Sequence, residues 1–444
     1  MAEKKIFIKT FGCQMNEYDS DHIWRLFYEK GYRRAVSYQD ADVVVINTCA
    51  VRQKAEDKFY SELGRIKKVK EKQPDIRICV IGCLAQLYGE HLVQRYPYID
   101  VVLGTKQLLL LPTVLEQSTI SYPFINTTMI RDPLIYPFPS TLIDKRVSAF
   151  VTIMQGCNNY CSYCIVPYVR GHEWSRSPDD IIREVTLLIK HGVKEITLLG
   201  QNVNAYGKTL SPRIRFSELL CHLDSIPGIK RLRFITSHPR DLTEDLISCF
   251  GKLRSLCEHI HLPLQSGSNT ILQRMHRGYT QEMYREKIAL LRETVPDISI
   301  SSDIIVGFPG ETEYDFSQTL ALIEDVKFDE LFIFHYTPRP GTPASRYTDT
   351  VPYDEKIRRL TLLTAVQQKI GFEKNSRLVG RIMPVLFDMN AKRGSNMIAG
   401  RLRTGKVVNC HAPPRVLGKI HNVLIEHATA HSLIGRIVNG EDGW

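Results

Sequence analysis

Cys157, Cys161 and Cys164 stand within eight residues in the run Gly156-Cys-Asn-Asn-Tyr-Cys-Ser-Tyr-Cys164, a Cys-x3-Cys-x2-Cys spacing. A loop so built offers three thiolates and no fourth. Structural zinc closes with four ligands, and ferredoxin-type carriers hold each cluster with four cysteines. Three thiolates suit an iron–sulfur cluster whose fourth iron stays open to another ligand. Free cysteines are often simply buried, but beside Asn158, Asn159, Ser162 and Tyr163 these three would make a poor core segment. A second set is dispersed: Cys13 in Thr10-Phe-Gly-Cys-Gln-Met-Asn16, Cys49 in Asn47-Thr-Cys-Ala-Val-Arg52 and Cys83 in Ile81-Gly-Cys-Leu-Ala-Gln86. Each follows a short apolar run, the same place in three successive units.

Those runs define the first positioning element. Lys5-Ile-Phe-Ile-Lys9, Asp42-Val-Val-Val-Ile46, Ile76-Arg-Ile-Cys-Val-Ile81 and Val101-Val-Leu103 are β-branched and separated by helix-length segments, which predicts an open parallel α/β sheet over residues 3–118. Loops at the carboxyl ends of neighbouring strands in such a sheet converge on one crevice. Cys13, Cys49 and Cys83 are therefore expected to meet as a second three-thiolate cluster site. Cys79 lies inside a strand and reads as core, as do the isolated Cys221, Cys249, Cys257 and Cys410.

Residues 119–145, with Tyr136-Pro-Phe-Pro-Ser140, read as a linker. A second βα series occupies 146–374. Its strand candidates are Ser148–Ile153, Glu195–Leu199, Arg231–Ile235, His259–Leu262, Ser299–Val306 and Glu330–Phe334. Six units are too few for a closed eight-stranded barrel and predict a partial (β/α)6 barrel, with the Cys157 loop following its first strand at the carboxyl face, where barrel chemistry resides. Ser177 before Pro178 reads as a helix N-cap, and apolar Ile357, Leu360, Leu363, Val366 and Ile370 mark a last helix. From 377 to 440 the pattern changes to short strands and turns, predicting a small β-barrel of the oligonucleotide-binding type.

The chain has 444 residues and a formal net charge of +10, of which residues 377–444 carry +6, from ten Lys and Arg against four Asp and Glu. Charge concentrated on a small β-module points to an RNA partner. Arg401, Arg403, Lys406 and Lys419 are candidates for gripping a phosphate backbone. The opening Met-Ala-Glu-Lys-Lys does not read as a signal peptide and no apolar stretch approaches membrane-spanning length, so a cytoplasmic protein without membrane association is expected. Eleven cysteines then argue for metal ligation or buried thiols, not disulfides. No Ser-His-Asp grouping, carboxylate pair or Gly-Lys-Ser phosphate loop stands out.

Taken in order, the motifs resemble the methylthiotransferase family of radical S-adenosylmethionine enzymes. The cysteine runs are joined by Leu199-Gly-Gln-Asn-Val-Asn204, Thr236-Ser-His-Pro239, His261-Leu-Pro-Leu-Gln-Ser-Gly-Ser268, Ile305-Val-Gly-Phe-Pro-Gly-Glu311 and Tyr336-Thr-Pro-Arg-Pro-Gly-Thr-Pro-Ala344. Gly12-Cys-Gln-Met-Asn16 and Asn47-Thr-Cys-Ala-Val-Arg52 resemble the branch that modifies N6-isopentenyladenosine beside the tRNA anticodon. The resemblance implies two [4Fe-4S] clusters, one on Cys157, Cys161 and Cys164 and one on Cys13, Cys49 and Cys83. It implies two molecules of S-adenosylmethionine per base, one as methyl donor and one as the source of a 5′-deoxyadenosyl radical, and a 2-methylthio product. It also implies a radical-SAM core, a C-terminal TRAM domain, an electron-donating reductase and a sulfur source. Residues similar to the family's cofactor contacts are Tyr163, Gly200, Gln201, Asn202, Gly307 and Glu311. For Gly307 and Glu311 turn chemistry is the competing role: a sharp reversal and a helix cap. The rival branches act on threonylcarbamoyladenosine in tRNA or on a ribosomal-protein aspartate. A non-catalytic iron–sulfur RNA-binding protein is the rival from another class, one that gains nothing from two incompletely ligated clusters.

Overall fold

The computed structural model of the protein describes residues 3–117, 119–130, 146–390 and 397–438. Strands β1 (Lys5–Phe11), β2 (Arg33–Arg34), β3 (Val43–Thr48), β4 (Arg77–Gly82), β5 (Val101–Leu103) and β6 (Phe124–Asn126) form one parallel sheet in the order β2-β1-β3-β4-β5-β6. Its central strands read as unbroken apolar runs because both faces are covered. Val43, Val45, Cys79 and Ile81 pack on Ile23, Trp24 and Phe27 of the helix Gln14–Glu29. The alternate residues Val44, Ile46, Ile78 and Val80 pack on Phe59, Leu63 and Ile66 of the helix Gln53–Lys72. The sequence places Phe124–Asn126 in a linker. Instead it pairs with β5 as the edge strand, three residues being too few to show a period. Residues 131–145 of the expected linker lie outside the described residues.

The second unit holds β7 (Ser148–Thr152), a short antiparallel pair β8 (Met154–Gln155) and β9 (Trp174–Ser175), then β10 (Glu195–Leu199), β11 (Arg231–Phe234), β12 (His259–His261), β13 (Ser299–Val306) and β14 (Glu330–His335). The six long strands are parallel in two arcs, β7-β10-β11 and β12-β13-β14. The arcs meet where Leu232 donates to the Ser255 carbonyl at 2.8 Å and Cys257 donates to the Leu232 carbonyl at 2.9 Å. This is the expected partial barrel. Ser177 caps the helix Pro178–Lys190 by accepting from the Asp180 amide at 3.2 Å. The last helix, Tyr353–Ser376, sends Leu363 and Ile370 into the barrel core. Cys79, Cys249, Cys257 and Cys410 are buried as expected, whereas Cys221 is exposed.

Strands β15 (Ile382–Asn390), β16 (Met397–Arg401), β17 (Val407–His411), β18 (Ile420–Ala428) and β19 (Ser432–Ile437) close a small barrel. Its turn 401–406 plugs the amino-terminal end of the large barrel. Arg231, the first residue of β11, donates to the Arg401 and Pro384 carbonyls at 2.6 and 3.1 Å. Arg233 donates to those of Arg403 and Leu402 at 2.8 and 2.7 Å. In return Arg403 pairs with Glu258 at 2.7 Å, and Lys406 with Asp329 at 3.0 Å. The charges of Arg403 and Lys406, expected to grip RNA, are thus met between domains by carboxylates of the large barrel. Arg401 lies in the same turn and is only partly accessible, while Lys419 is exposed.

Candidate active site

The Cys157 loop is held rigidly at the carboxyl end of β7. Gly156 has φ +76°, and a Cβ there would lie 1.9 Å from the His172 carbonyl oxygen, so only glycine permits the turn. Its amide donates to Gln201 Oε1 at 2.6 Å. Ser162 is clamped from both directions: its amide donates to the Met275 carbonyl at 3.0 Å, and its carbonyl accepts from the Ala344 amide at 2.8 Å. Buried Arg277 donates Nη1 to Cys161 Sγ at 3.2 Å and to the Tyr163 hydroxyl at 3.3 Å. Burial pushes the Cys157 and Cys164 thiols up to about 11 and about 12. Both are therefore protonated at neutral pH until something that binds thiolate displaces the protons.

The three strand-following cysteines of the first sheet also meet. Cys13 and Cys49 share a hydrogen bond, which is the largest cause holding Cys13 down at about 6. The same contact, with burial, drives Cys49 well above its usual range. Two amides set the spacing: Asn16 Oδ1 accepts from the Cys13 amide and thiol at 3.4 Å each, and Asn16 Nδ2 donates to Asn47 Oδ1 at 2.9 Å. At Gly12 a Cβ would come within 2.8 Å of the Cys49 Cβ, and at Gly82, φ +94°, within 2.3 Å of Asn47 Oδ1. Cys83 accepts from Arg170 Nε at 3.3 Å.

The two triplets face each other. Cys83 packs with Ala50 against Ile165 and Val169, the turn that leaves Cys164. Cys13 packs with Met15 and Tyr18 against Leu199 and Ile235, at the carboxyl ends of β10 and β11. Docking is polar as well: Arg176 pairs with Glu184 at 2.7 Å and reaches the Tyr18 hydroxyl, Arg170 pairs with Asp19 at 2.8 Å, and Thr105 donates to the Val169 carbonyl at 2.5 Å. The first sheet thus lies over the barrel mouth.

Fit to a cofactor can be judged on the donors present. Among the described residues no group of His, Cys, Asp or Glu converges as a single-ion site. A four-iron cube does not require that, since it spreads its thiolates over separate irons. Two all-cysteine triplets match its preference for sulfur. The mouth also holds buried polar atoms without a protein partner among the described residues: Asn202 Oδ1, Ser237 Oγ, His238 Nε2, Gln265 Oε1 and the Tyr336 hydroxyl. Native interiors rarely leave such atoms unpaired, and these follow β10, β11, β12 and β14, as a polar ligand seated there would require. His238 Nδ1 accepts from the Arg240 amide at 3.3 Å. Burial, aided by Arg277 and Arg240, lowers this imidazole to about 2, so it is neutral and Nε2 carries the hydrogen. Thr236 and Gln265 adopt φ of +67° and +73°, the kind of backbone strain found at functional sites.

The resemblance-based contacts divide by what their side chains do. Gly200 makes room for Met154, whose Cγ a Cβ would approach to 2.4 Å. Gln201 orients the Cys157 loop. Asn202 donates to Asp241 at 2.7 Å and leaves Oδ1 toward the mouth. Tyr163 packs on Met275, Phe308 and Tyr336. Glu311 accepts through Oε2 from the Gly307 amide at 2.6 Å and pairs with Arg359 at 2.7 Å. The carboxylate closes the turn at Gly307, φ +67°. Sequence reasoning missed Arg170, Arg277 and Arg339, because an isolated arginine carries no periodic signal and is ordinarily a surface residue.

Comparison with known proteins agrees with this arrangement. Residues 5–104 match the uncharacterized protein family UPF0004, residues 151–323 the radical SAM superfamily and residues 376–438 the TRAM domain. The tRNA-2-methylthio-N6-dimethylallyladenosine synthase of Syntrophobacter fumaroxidans is 46% identical over 440 residues, 99% of this chain and 96% of that one. Its counterpart in Chromobacterium violaceum is 45% identical, covering 99% of both chains. This chain belongs to that family. Among solved structures, the radical S-adenosylmethionine methyltransferase TsrM of Kitasatospora setae, with tryptophan and a SAM analog bound, superposes with a TM-score of 0.57 at 12% identity. It covers 88% of this chain and 79% of that one. At that identity the likeness concerns the fold. In this chain the three matched regions are the sheet over the mouth, the partial barrel and the plug beneath it.

Proposed function

We infer that the protein is a tRNA methylthiotransferase that places a methylthio group on carbon 2 of N6-isopentenyl (dimethylallyl) adenosine beside the anticodon, using radical S-adenosylmethionine chemistry. The observation that carries the reading is the packing of Cys83 against Ile165 and Val169, which brings the two cysteine triplets to one mouth. Carbon 2 of adenine bears a hydrogen that no acid–base step removes readily. Cofactors held by the two triplets would supply the reducing electron for S-adenosylmethionine and the sulfur for the product. The chain's own residues perform the rest. Gly156 and Gln201 fix the Cys157 loop, Arg277 places a cation on Cys161, and Asn16 with Asn47 sets the separation of Cys13 and Cys49. Asn202, Ser237, His238, Gln265 and Tyr336 offer the polar atoms that would orient cofactor and base. An anticodon loop presents unstacked bases, so no duplex need be opened to reach this mouth.

The second cluster, the electron donor and the sulfur source belong to the same proposal. So does a cytoplasmic site of action, in keeping with the observation that no described helix is long and apolar enough to cross a membrane. Iron and sulfide content of anaerobically reconstituted protein tests it. About eight irons are expected, falling to about four in a Cys157/Cys161/Cys164→Ala variant, with methylthiolation of isopentenylated but not of unmodified tRNA by the wild type. About four irons, all lost in the variant, would remove the second cluster from the reading.

A further inference from the structure

We propose that Arg170 is a positioning residue of the N-terminal cysteine site, where its hydrogen bond to Cys83, backed by Asp19, sets the reduction potential of the cluster held there. The inference rests on the two-cluster reading above.

Arg170 closes the helix Val166–Arg170, six residues beyond Cys164, and Gly171 at φ +81° turns the chain away. Its guanidinium is 5% exposed and performs two separate tasks. Nη2 pairs with fully buried Asp19 at 2.8 Å, and Nε donates to Cys83 Sγ at 3.3 Å. A tie between domains would need only the first. The second puts a fixed positive charge on a ligand sulfur, in a position that only the planar fork of arginine fills while Asp19 is also held. Three thiolates gathered in a buried crevice concentrate negative charge, which is costly unless a cation faces it.

Reduction adds one electron to such a cluster and changes no bond. A cation donating to a ligand sulfur stabilises the reduced, more negative form and raises the potential. The carboxylate behind that cation partly cancels it and lowers the potential. Charge and hydrogen bonds to sulfur are the levers by which proteins tune clusters. Because the same helix leaves the Cys157 loop, the radical-forming side of the mouth carries the residue that tunes the sulfur-donating side.

The experiment is a redox titration followed by EPR on the Cys157/Cys161/Cys164→Ala background, which leaves the N-terminal site alone. Arg170→Gln should shift the midpoint to more negative values and Asp19→Asn to more positive ones. Arg170→Lys, retaining charge but not the fork, should fall between wild type and Arg170→Gln. Opposite signs for Arg170→Gln and Asp19→Asn identify tuning, since breaking one ion pair from either side would move a purely structural tie in one direction. Equal-sign shifts, or none, with about four irons retained would overturn the proposal. If Arg170→Gln does not hold iron, Asp19→Asn and Arg170→Lys decide it: a positive shift in the first and a negative one in the second support it, any other pair overturns it. A background protein without iron would instead defeat the second-cluster reading itself, and this inference with it.

Discussion

The guanidinium of Arg339 donates to the main-chain carbonyl of Val51 across 3.0 Å, joining the loop after β14 to a residue two places beyond Cys49. Its other nitrogen reaches Gln53 Oε1 and Glu56 Oε2 at 3.1 Å each, and Glu56 accepts from the Tyr88 hydroxyl at 2.9 Å. The barrel loop thus grips the segment that carries Cys49 of the upper triplet. Arg339→Ala leaves buried Glu56 without its cation, a loss of about 3–5 kcal/mol for such a pair. A lower melting temperature is expected. Formation of the methylthio product should fall more steeply than release of 5′-deoxyadenosine, because only the former needs both triplets in register. Equal losses in the two assays would contradict the clasp.

Glycine at position 156 is required by contact, not only by conformation. Gly156→Ala should abolish loading of the Cys157 loop, leaving about four irons where about eight are expected of the wild type. Gly192 supplies the control, with φ +92° but nothing within 4 Å of a Cβ. Gly192→Ala should retain full iron with a stability cost of about 1 kcal/mol. Full iron in Gly156→Ala would refute the contact argument.

Apo-protein thiols should differ in their pH response. Cys13, held down at about 6, is a thiolate at neutral pH, and its alkylation should be near its plateau there and fall as pH drops through about 6. Cys164, also partly accessible but pushed up to about 12, should react slowly at neutral pH and gain rate with every unit of increase. Mass-spectrometric mapping of iodoacetamide adducts between pH 5 and 9 reads both slopes. Cys164 labelling ahead of Cys13 at pH 7 would count against the hydrogen-bonded Cys13–Cys49 pair.

RNA binding should separate the cations of the small barrel. Lys419 and Arg415 are exposed, and replacing either with Ala should weaken tRNA binding and reduce the log–log salt slope by about 0.7–0.9 per lost phosphate contact. Arg403→Ala should leave the slope unchanged and lower the melting temperature, because Arg403 serves Glu258 and the Leu256 carbonyl at 2.6 Å. A slope change in Arg403→Ala alone would reverse the assignment.

Much of this arrangement could be read without coordinates, and for stated reasons. Strands β3, β4 and β10 are covered on both faces, so they appear in sequence as largely apolar runs whose ends are marked by Asn47, Gly82 and Gly200. Cys13, Cys49 and Cys83 stand just beyond β1, β3 and β4, neighbouring strands of one parallel sheet whose following loops open on one crevice. What stayed hidden depends on docking between units. Phe124–Asn126 is a strand only because β5 offers it an edge. Arg170, Arg277 and Arg339 are buried only because sulfur, hydroxyl and carboxylate groups from distant segments surround them. At 401–406 local charge does not reveal that Glu258 and Asp329 face Arg403 and Lys406.

The plug has a consequence for geometry. The small barrel is seated under the amino-terminal ends of the large barrel's strands, while both cysteine triplets occupy the opposite rim. An RNA touching the two at once is measured against the height of the barrel, roughly 26 Å for a strand of eight residues such as β13. On the proposed reading the module is the far jaw of a caliper. A free nucleoside or a short single strand would enter the mouth but close no second contact, whereas a folded stem and loop of sufficient reach would close both.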